Sequence, residues 1–134
     1  MNRDPVPDPP PAACDGVCEV DFVDPAKVEA ALESLPGEQD LRRMADAFRV
    51  LANPNRLRVM KALEGRELCV CDLREVLGIS MSGTSQVLRE LRTLRAVEFR
   101  AEGKLAYYRL ADPFWLDLAE GVQKKLTAAP ARVT

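Results

Sequence analysis

The chain has 134 residues but contains no histidine and no long apolar run. Without histidine, the sequence supplies neither a histidine general base nor imidazole ligands for zinc. A membrane-spanning helix needs roughly 18 consecutive apolar residues, and no stretch approaches that length. The N-terminus also lacks the basic and then apolar pattern of an export signal. We therefore expect a cytoplasmic protein that has no membrane partner.

The length suits a single domain with a tail and excludes a multi-domain protein. The net charge of −2 hides a strong asymmetry along the chain. Residues 1–40 carry two basic and ten acidic residues, whereas residues 41–109 carry fourteen basic and eight acidic residues. A basic middle segment is typical of a surface that meets a polyanion such as DNA, although solvated helix faces would give the same count.

Proline and capping residues divide the chain into segments. Residues 1–13 hold five of the ten prolines, which predicts a flexible arm. Asp24-Pro25 and Asn53-Pro54 are typical helix starts, in which proline follows a capping residue. We predict three parts: a flexible, acidic, proline-rich arm with two cysteines (1–23), a DNA-binding and dimerisation domain (24–128) and a C-terminal tail (129–134).

The middle of the chain predicts a helix-turn-helix followed by a β-hairpin. One short helix ends at Gly78, and the next begins with Ser80 as its N-cap and runs to about Leu94. The β-rich segments on either side of Glu102-Gly103 then predict a hairpin. This order is that of a winged helix-turn-helix, so the predicted fold class is mainly α with a small β-hairpin.

The second helix of this motif and the hairpin carry the candidate DNA contacts. Hydroxyl, amide and guanidinium groups suit phosphates and base edges. On the helix the candidates are Ser82, Thr84, Ser85, Gln86 and Arg89, and on the hairpin they are Arg100 and Lys104. Gly83 would let the helix approach a duplex closely, whereas Tyr107 and Tyr108 are predicted to pack. The alternative interpretation of the helix is a solvated polar face opposite the core.

An apolar stripe marks the last predicted helix, which follows Asp112-Pro113. Its members, at spacings of three or four residues, are Trp115, Leu118, Val122 and Leu126. The stripe would either pack onto its own domain or form a dimer seam. A dimer would present two recognition helices to successive major grooves, so its operator would be an imperfect inverted repeat in double-stranded DNA.

The four cysteines fall into two pairs, Cys14 with Cys18 in the arm and Cys69 with Cys71 at a helix start. In a cytosolic chain they should be reduced, so a disulfide framework is not expected. A helix start favours thiolate over thiol, and both sulfurs of a first turn can reach one ion. We therefore predict a thiolate metal site, with a redox switch or no shared function as the alternatives.

Sulfur ligands without nitrogen ligands select soft ions. Cd²⁺ and Pb²⁺ fit such a set, Zn²⁺ would accept four sulfurs, and As(III) or Sb(III) would use three of them. Bi³⁺ is a further candidate. The sequence contains no catalytic constellation, so we expect neither an enzyme nor a small organic substrate.

A family resemblance rests on four segments: Glu67–Leu73, Leu77–Ser80, Ser85–Leu91 and Arg100–Lys104 with Tyr107-Tyr108. Together they are similar to the ArsR/SmtB family of metal-responsive repressors. The resemblance covers roughly residues 38–126, and the cysteine-bearing helix is its most specific part. The arm cysteines, which have three residues between them and lie ahead of the domain, look like those of the cadmium- and lead-sensing CadC branch.

The resemblance implies a winged-helix homodimer with a four-thiolate site. In that site the arm of one subunit meets the cysteine-bearing helix of the other, and all four cysteines are ligands. Arsenite sensors of the family often have a third cysteine where Arg74 stands here, which favours the cadmium and lead type. A second family site binds zinc through Asp, His and Glu. Asp112 matches one of its carboxylates, but the missing histidine predicts that this site is absent.

These features predict a metal-responsive transcriptional repressor. It would bind operator DNA when metal-free and be released when a soft ion binds the thiolates, because the ion ties the arm to the first helix of the helix-turn-helix. One alternative is a redox or persulfide sensor on the same fold. Another is a cytosolic metal-buffering protein, although a buffer has no use for a wing and a polar recognition helix.

Overall fold

The computed structural model describes residues 16–128. The chain divides into two compact units, with the boundary after Gly37. The predictions for Cys14, for the remainder of the arm up to residue 15 and for the C-terminal tail lie outside the described residues. Within residues 16–128, no helix is long and apolar enough to cross a membrane.

The first unit contains helix α1 (Pro25–Ser34). As predicted, Asp24 is its N-cap, and the carboxylate accepts a hydrogen bond from the backbone N–H of Ala26 at 3.1 Å. None of the residues of α1 is buried. The two compact units separate after this helix, and the division into arm, domain and tail stays a prediction.

The second unit contains the predicted motif. Its elements in chain order are α2 (Glu38–Leu51), α3 (Pro54–Ala62), β1 (Leu68–Cys69), α4 (Val70–Leu77), α5 (Met81–Thr93), β2 (Val97–Glu102), β3 (Leu105–Leu110) and α6 (Phe114–Ala128). Helices α4 and α5 form the helix-turn-helix, and the β2–β3 hairpin forms the wing. The predicted winged helix-turn-helix is therefore confirmed.

Local sequence signals set the helix ends in this unit. The side chain of Asn53 accepts a hydrogen bond from the N–H of Asn55 at 2.9 Å and so begins α3. Gly78 ends α4 in the left-handed conformation, at φ 68°, which glycine adopts without a steric penalty. The Ser80 hydroxyl accepts from the N–H of Gly83 at 3.0 Å and begins α5, as the sequence predicted.

The sheet has three antiparallel strands in the order β1-β3-β2. Strand β1 places Leu68 opposite Tyr108 and Cys69 opposite Tyr107. The sequence did not predict this strand, because two residues are too few to show alternation and the pairing partner lies far along the chain. The short strand fixes the residue before α4 to the wing.

The core lies between the helices and the hairpin. Its largest fully buried apolar side chains are those of Val59, Met60, Leu63, Leu73, Leu88 and Leu91. Leu73 of α4 and Leu88 of α5 belong to the same cluster, so the two helices of the motif are packed through a shared interior. Because such interiors are close-packed, a displacement of one helix is felt by the other.

Candidate metal site and nucleic-acid interface

The cysteine pair lies at the junction of β1 and α4. Cys69 ends β1 and is the N-cap of α4, and the residue is buried, at 9% exposure. Its backbone N–H donates to the Asp72 carboxylate at 3.2 Å, as part of a capping box. Cys71 lies in the first turn of α4 and is exposed. Both sulfurs therefore sit at the start of the first helix of the motif.

Two of the four predicted metal ligands lie at the start of α4. Cys69 and Cys71 are close in the chain and supply sulfur, the donor that soft ions prefer. Within residues 16–128, no group of three or more cysteine, aspartate or glutamate side chains is gathered so that it could hold a metal ion. Cys18 is exposed and belongs to the first unit. The pair at α4 thus fits a soft ion only as part of a larger donor set.

The recognition helix α5 exposes most of the predicted DNA contacts but not all of them. Ser82, Gln86 and Arg89 are exposed, and Ser85 is half-buried. The prediction for Thr84 is corrected, because this side chain is completely buried and its hydroxyl donates to the backbone carbonyl of residue 80 at 2.9 Å. Thr84 therefore stabilises the first turn of α5 and is not available to a duplex.

Gly83 has a structural role in the same turn. A Cβ atom at this position would lie 3.2 Å from Cδ1 of Ile79 and 3.3 Å from the hydroxyl oxygen of Ser80. Both distances are shorter than ordinary van der Waals contacts. Packing of the turn is therefore one reason for glycine at position 83, and the close approach to DNA stays a prediction.

The wing carries a network of ion pairs. Arg100 donates from Nη2 and Nε to the Glu67 carboxylate at 3.0 and 3.2 Å, and from Nη1 to Glu102 at 2.6 Å. Its guanidinium also lies over the Tyr107 ring, 4.8 Å from the centroid. Hydrogen bonds from Arg100 hold the pKa of the Glu67 carboxyl below its ordinary value. Lys104, the other predicted wing contact, is exposed in the turn.

Glu67 is the residue that sequence reasoning missed. It precedes β1, and its carboxylate reaches across the sheet to β2. The one signal in the sequence is that Glu67 lies two residues before Cys69, which places both on one face of an extended segment. Because the sequence does not predict β1, it gives no reason to expect an extended segment here.

The apolar stripe of α6 divides into two parts. Trp115 packs against the core, and Leu118 is half-buried. Val122 and Leu126 are about half exposed, at 52% and 49%. The first part of the stripe therefore serves its own domain, whereas the second part leaves apolar surface open on the described chain.

The sequence profile of the bacterial regulatory proteins of the arsR family matches residues 53–98. The chain is 37% identical over 110 residues to a transcriptional repressor SmtB homologue of Synechocystis, covering 82% of this chain and 83% of that protein. It is 36% identical over 106 residues to a CadC homologue of Staphylococcus aureus, a cadmium resistance transcriptional regulatory protein. That match covers 78% of this chain and 86% of the relative.

Solved structures show the same fold. Rv0081 of Mycobacterium tuberculosis matches with a TM-score of 0.66 and 30% identity, over 73% of this chain and all of that chain. Mb0332 of Mycobacterium bovis, described as a homodimeric winged helix-turn-helix DNA-binding domain, matches with a TM-score of 0.60 and 26% identity. That match covers 72% of this chain and 94% of Mb0332. The matched family and both curated relatives are transcriptional regulators and not enzymes.

Proposed function

The chain belongs to the ArsR family of bacterial regulatory proteins, and on that basis we propose that it is a metal-responsive transcriptional repressor. The metal-free protein binds operator DNA, and a soft metal ion at the cysteine sulfurs releases it. One observation carries this proposal: Cys69 and Cys71 occupy the start of α4, which is the first helix of the helix-turn-helix. A ligand held there acts directly on the DNA-reading motif.

The exposed polar side chains of α5 support the DNA-binding part of the proposal. Ser82, Gln86 and Arg89 lie on the face of α5 opposite its buried residues, where they can meet base edges and phosphates. Lys104 at the tip of the wing adds a positive charge for the backbone. The proposed target is double-stranded DNA with an imperfect inverted repeat, because a two-fold dimer reads two half-sites. A repressor of this kind acts in the cytoplasm.

The donor chemistry supports a soft effector ion. Cys69 and Cys71 supply two sulfurs, and a relative of similar length is named as a cadmium resistance regulator. We propose Cd²⁺ or Pb²⁺ as the effector, with Zn²⁺, Bi³⁺ and As(III) or Sb(III) as competitors in the same assay. Cys14 and Cys18 would complete a site that two sulfurs leave open.

A homodimer is part of the proposal. Val122 and Leu126 leave apolar surface exposed on α6, which suits a seam with a second copy. The Mb0332 domain, which shares this fold, is a homodimer. We propose that the arm cysteines of one subunit complete the site on α4 of the other.

The route from metal to DNA runs through the shared interior of the motif. Leu73 and Leu77 of α4 lie in one core cluster with Leu88 and Leu91 of α5. Since this interior is close-packed, a pull on the start of α4 changes the position of α5. A coupling of about 1–3 kcal/mol per ligand is typical of allostery and would release most of the bound DNA from a dimer with two sites.

The test follows metal binding and DNA binding in one titration. The reduced full-length chain is titrated with Cd²⁺, while the ultraviolet thiolate-to-metal band and the affinity for the DNA upstream of its own gene are recorded. We expect the band to grow as DNA affinity falls, and Mg²⁺ to change neither, because hard ions avoid sulfur. No DNA binding by the metal-free protein, or undiminished binding with saturating Cd²⁺, would contradict the proposal. Loss of binding with peroxide or polysulfide but not with Cd²⁺ would favour a thiol-based redox sensor.

A further inference from the structure

The sheet aligns the candidate metal ligand with the wing. Cys69 on β1 is paired with Tyr107 on β3, and Tyr107 is paired with Arg100 on β2. Directly paired residues of an antiparallel sheet project from the same face. Glu67 lies two residues before Cys69 in the chain and therefore shares this face. A sulfur, an aromatic ring, a carboxylate and a guanidinium thus lie side by side.

Arg100 is committed to partners within its own subunit. Three of its nitrogen atoms donate to carboxylates, two of them to Glu67 and one to Glu102. The Tyr107 ring covers the guanidinium at 4.8 Å. One arginine between two carboxylates leaves a net charge of −1 at this point of the wing. A phosphate that approached Arg100 would therefore meet net negative charge and would find three of the five N–H donors already in use.

Glu67 differs from Glu102 in what it connects. Glu102 lies on β2, the strand that carries Arg100, so this pair joins two residues of the wing itself. Glu67 lies outside the hairpin, directly before β1 and α4, so its pair with Arg100 joins the wing to the start of the helix-turn-helix. A structural change at Cys69 would therefore affect the ion pair of Arg100 with Glu67 more directly than its pair with Glu102.

We propose that Glu67 is a positioning residue that keeps Arg100 away from operator phosphate. We further propose that strand β1 couples the Glu67–Arg100 ion pair to Cys69. Glu67 holds the edge of the guanidinium formed by Nε and Nη2, so a phosphate can take that bidentate edge only when Glu67 releases it. A metal ion on Cys69 would fix β1 against β3 and strengthen the hold of Glu67. This inference rests on the proposed function, because it requires DNA binding and release by metal.

The first experiment measures the metal-free protein. Wild type and Glu67→Gln are compared for affinity to a fluorescent duplex from the region upstream of the gene. We expect Glu67→Gln to bind about threefold more tightly per wing, and so about tenfold more tightly per dimer, because a competing carboxylate has gone. The salt dependence should also steepen by about one unit of log K against log salt per wing, since Arg100 gains a phosphate.

Glu98→Gln is the matched control. Glu98 lies on β2 and pairs with Arg109 at 2.7 Å, so its substitution removes one negative charge, as Glu67→Gln does, but frees a different arginine. We expect it to leave the affinity within about twofold of wild type, as an exposed pair outside the phosphate contact would. An equal gain in Glu98→Gln and Glu67→Gln would show an effect of net charge alone and would overturn the inference.

A second background tests the route through Arg100. In an Arg100→Gln protein, Glu67→Gln should give no gain in DNA affinity, because the residue that Glu67 withholds is absent. A gain that persists in this background overturns the inference, as does an unchanged or weaker affinity of the single Glu67→Gln variant. Failure of wild type to bind the duplex, or to release it with Cd²⁺, would instead overturn the proposed function and this inference with it.

Cadmium tests the link to Cys69. The ratio of metal-free to Cd²⁺-bound affinity is measured for wild type and for Glu67→Gln. We expect this ratio to fall about threefold in the variant, because part of the effect of the metal is to strengthen the hold of Glu67 on Arg100. An unchanged ratio would show that the wing responds independently of Cys69 and would overturn the link.

Discussion

The two helices of the helix-turn-helix begin with nearly the same backbone but offer different chemistry. Cys69, the N-cap of α4, has φ −81° and ψ 168°, and Ser80, the N-cap of α5, has φ −68° and ψ 162°. At Ser80 the hydroxyl is used within the turn, where it accepts from Gly83. At Cys69 the cap is a sulfur, a weak hydrogen-bond acceptor and a strong ligand for soft ions.

Under the proposed function, this difference would let the two helix starts respond to different partners. A hydroxyl cap contributes mainly to helix stability, so the proposed DNA contacts of α5 are at later positions such as Gln86 and Arg89. A sulfur cap contributes less to the helix, and under the proposed function the Cys69 sulfur is a ligand of the metal ion. The residue type at the cap is therefore the local difference that the proposed function uses to assign the metal response to α4 and the reading of DNA to α5.

The largest expected effect follows from replacing the sulfur cap by a hydroxyl. Cys69→Ser should abolish the fall in DNA affinity that Cd²⁺ causes in wild type, and Cys71→Ser should do the same, because a neutral hydroxyl is a poor ligand for soft ions. The metal-free affinity should stay within about twofold, since serine is a favoured N-cap and α4 keeps its start. Fluorescence anisotropy with and without Cd²⁺ measures both. A full cadmium response in either variant would contradict the assignment of that cysteine.

The next effect compares two residues of α5 on opposite faces. Arg89→Ala should weaken DNA binding about tenfold, because the helix loses an exposed guanidinium that reaches the duplex. Thr84→Val is the control on the same helix. Its side chain is buried and nearly isosteric with valine, so DNA affinity should remain within about twofold while stability falls by about 1 kcal/mol. A stronger loss of DNA binding for Thr84→Val than for Arg89→Ala would reverse the assignment of the two faces.

The sequence alone predicts the motif but not the network around it. Ser80, Gly78 and Asn53 act on backbone groups only a few residues away, so the sequence alone predicts the helix ends that they set. Thr84 was assigned to the DNA face because its position on α5 did not reveal that its hydroxyl returns to the preceding turn. The ion pair of Glu67 with Arg100 joins residues 33 positions apart and depends on a strand of two residues. No local sequence pattern predicts such a pair.

A smaller effect is expected when the hydroxyl cap is removed. Ser80→Ala should lower the free energy of unfolding by about 1 kcal/mol, because the N–H of Gly83 loses its acceptor. Urea denaturation of the metal-free protein measures this loss. Ser82→Ala, an exposed position on the same helix, should change the free energy by less than about 0.5 kcal/mol. Equal losses for the two variants would show that the hydroxyl of Ser80 has no capping role.

The smallest effect on stability is expected at Asp72, whose carboxylate accepts the hydrogen bond from the backbone N–H of Cys69. Asp72→Asn keeps an oxygen that can accept from the N–H of Cys69 but removes a negative charge from the first turn of α4. We expect a loss of about 0.5 kcal/mol in the free energy of unfolding at low salt, which shrinks as salt screens the helix dipole. The loss in Ser80→Ala should instead be nearly independent of salt, because both partners there are neutral. If the two losses responded to salt in the same way, the starts of α4 and α5 would be stabilised by one mechanism, and their difference would lie in the sulfur alone.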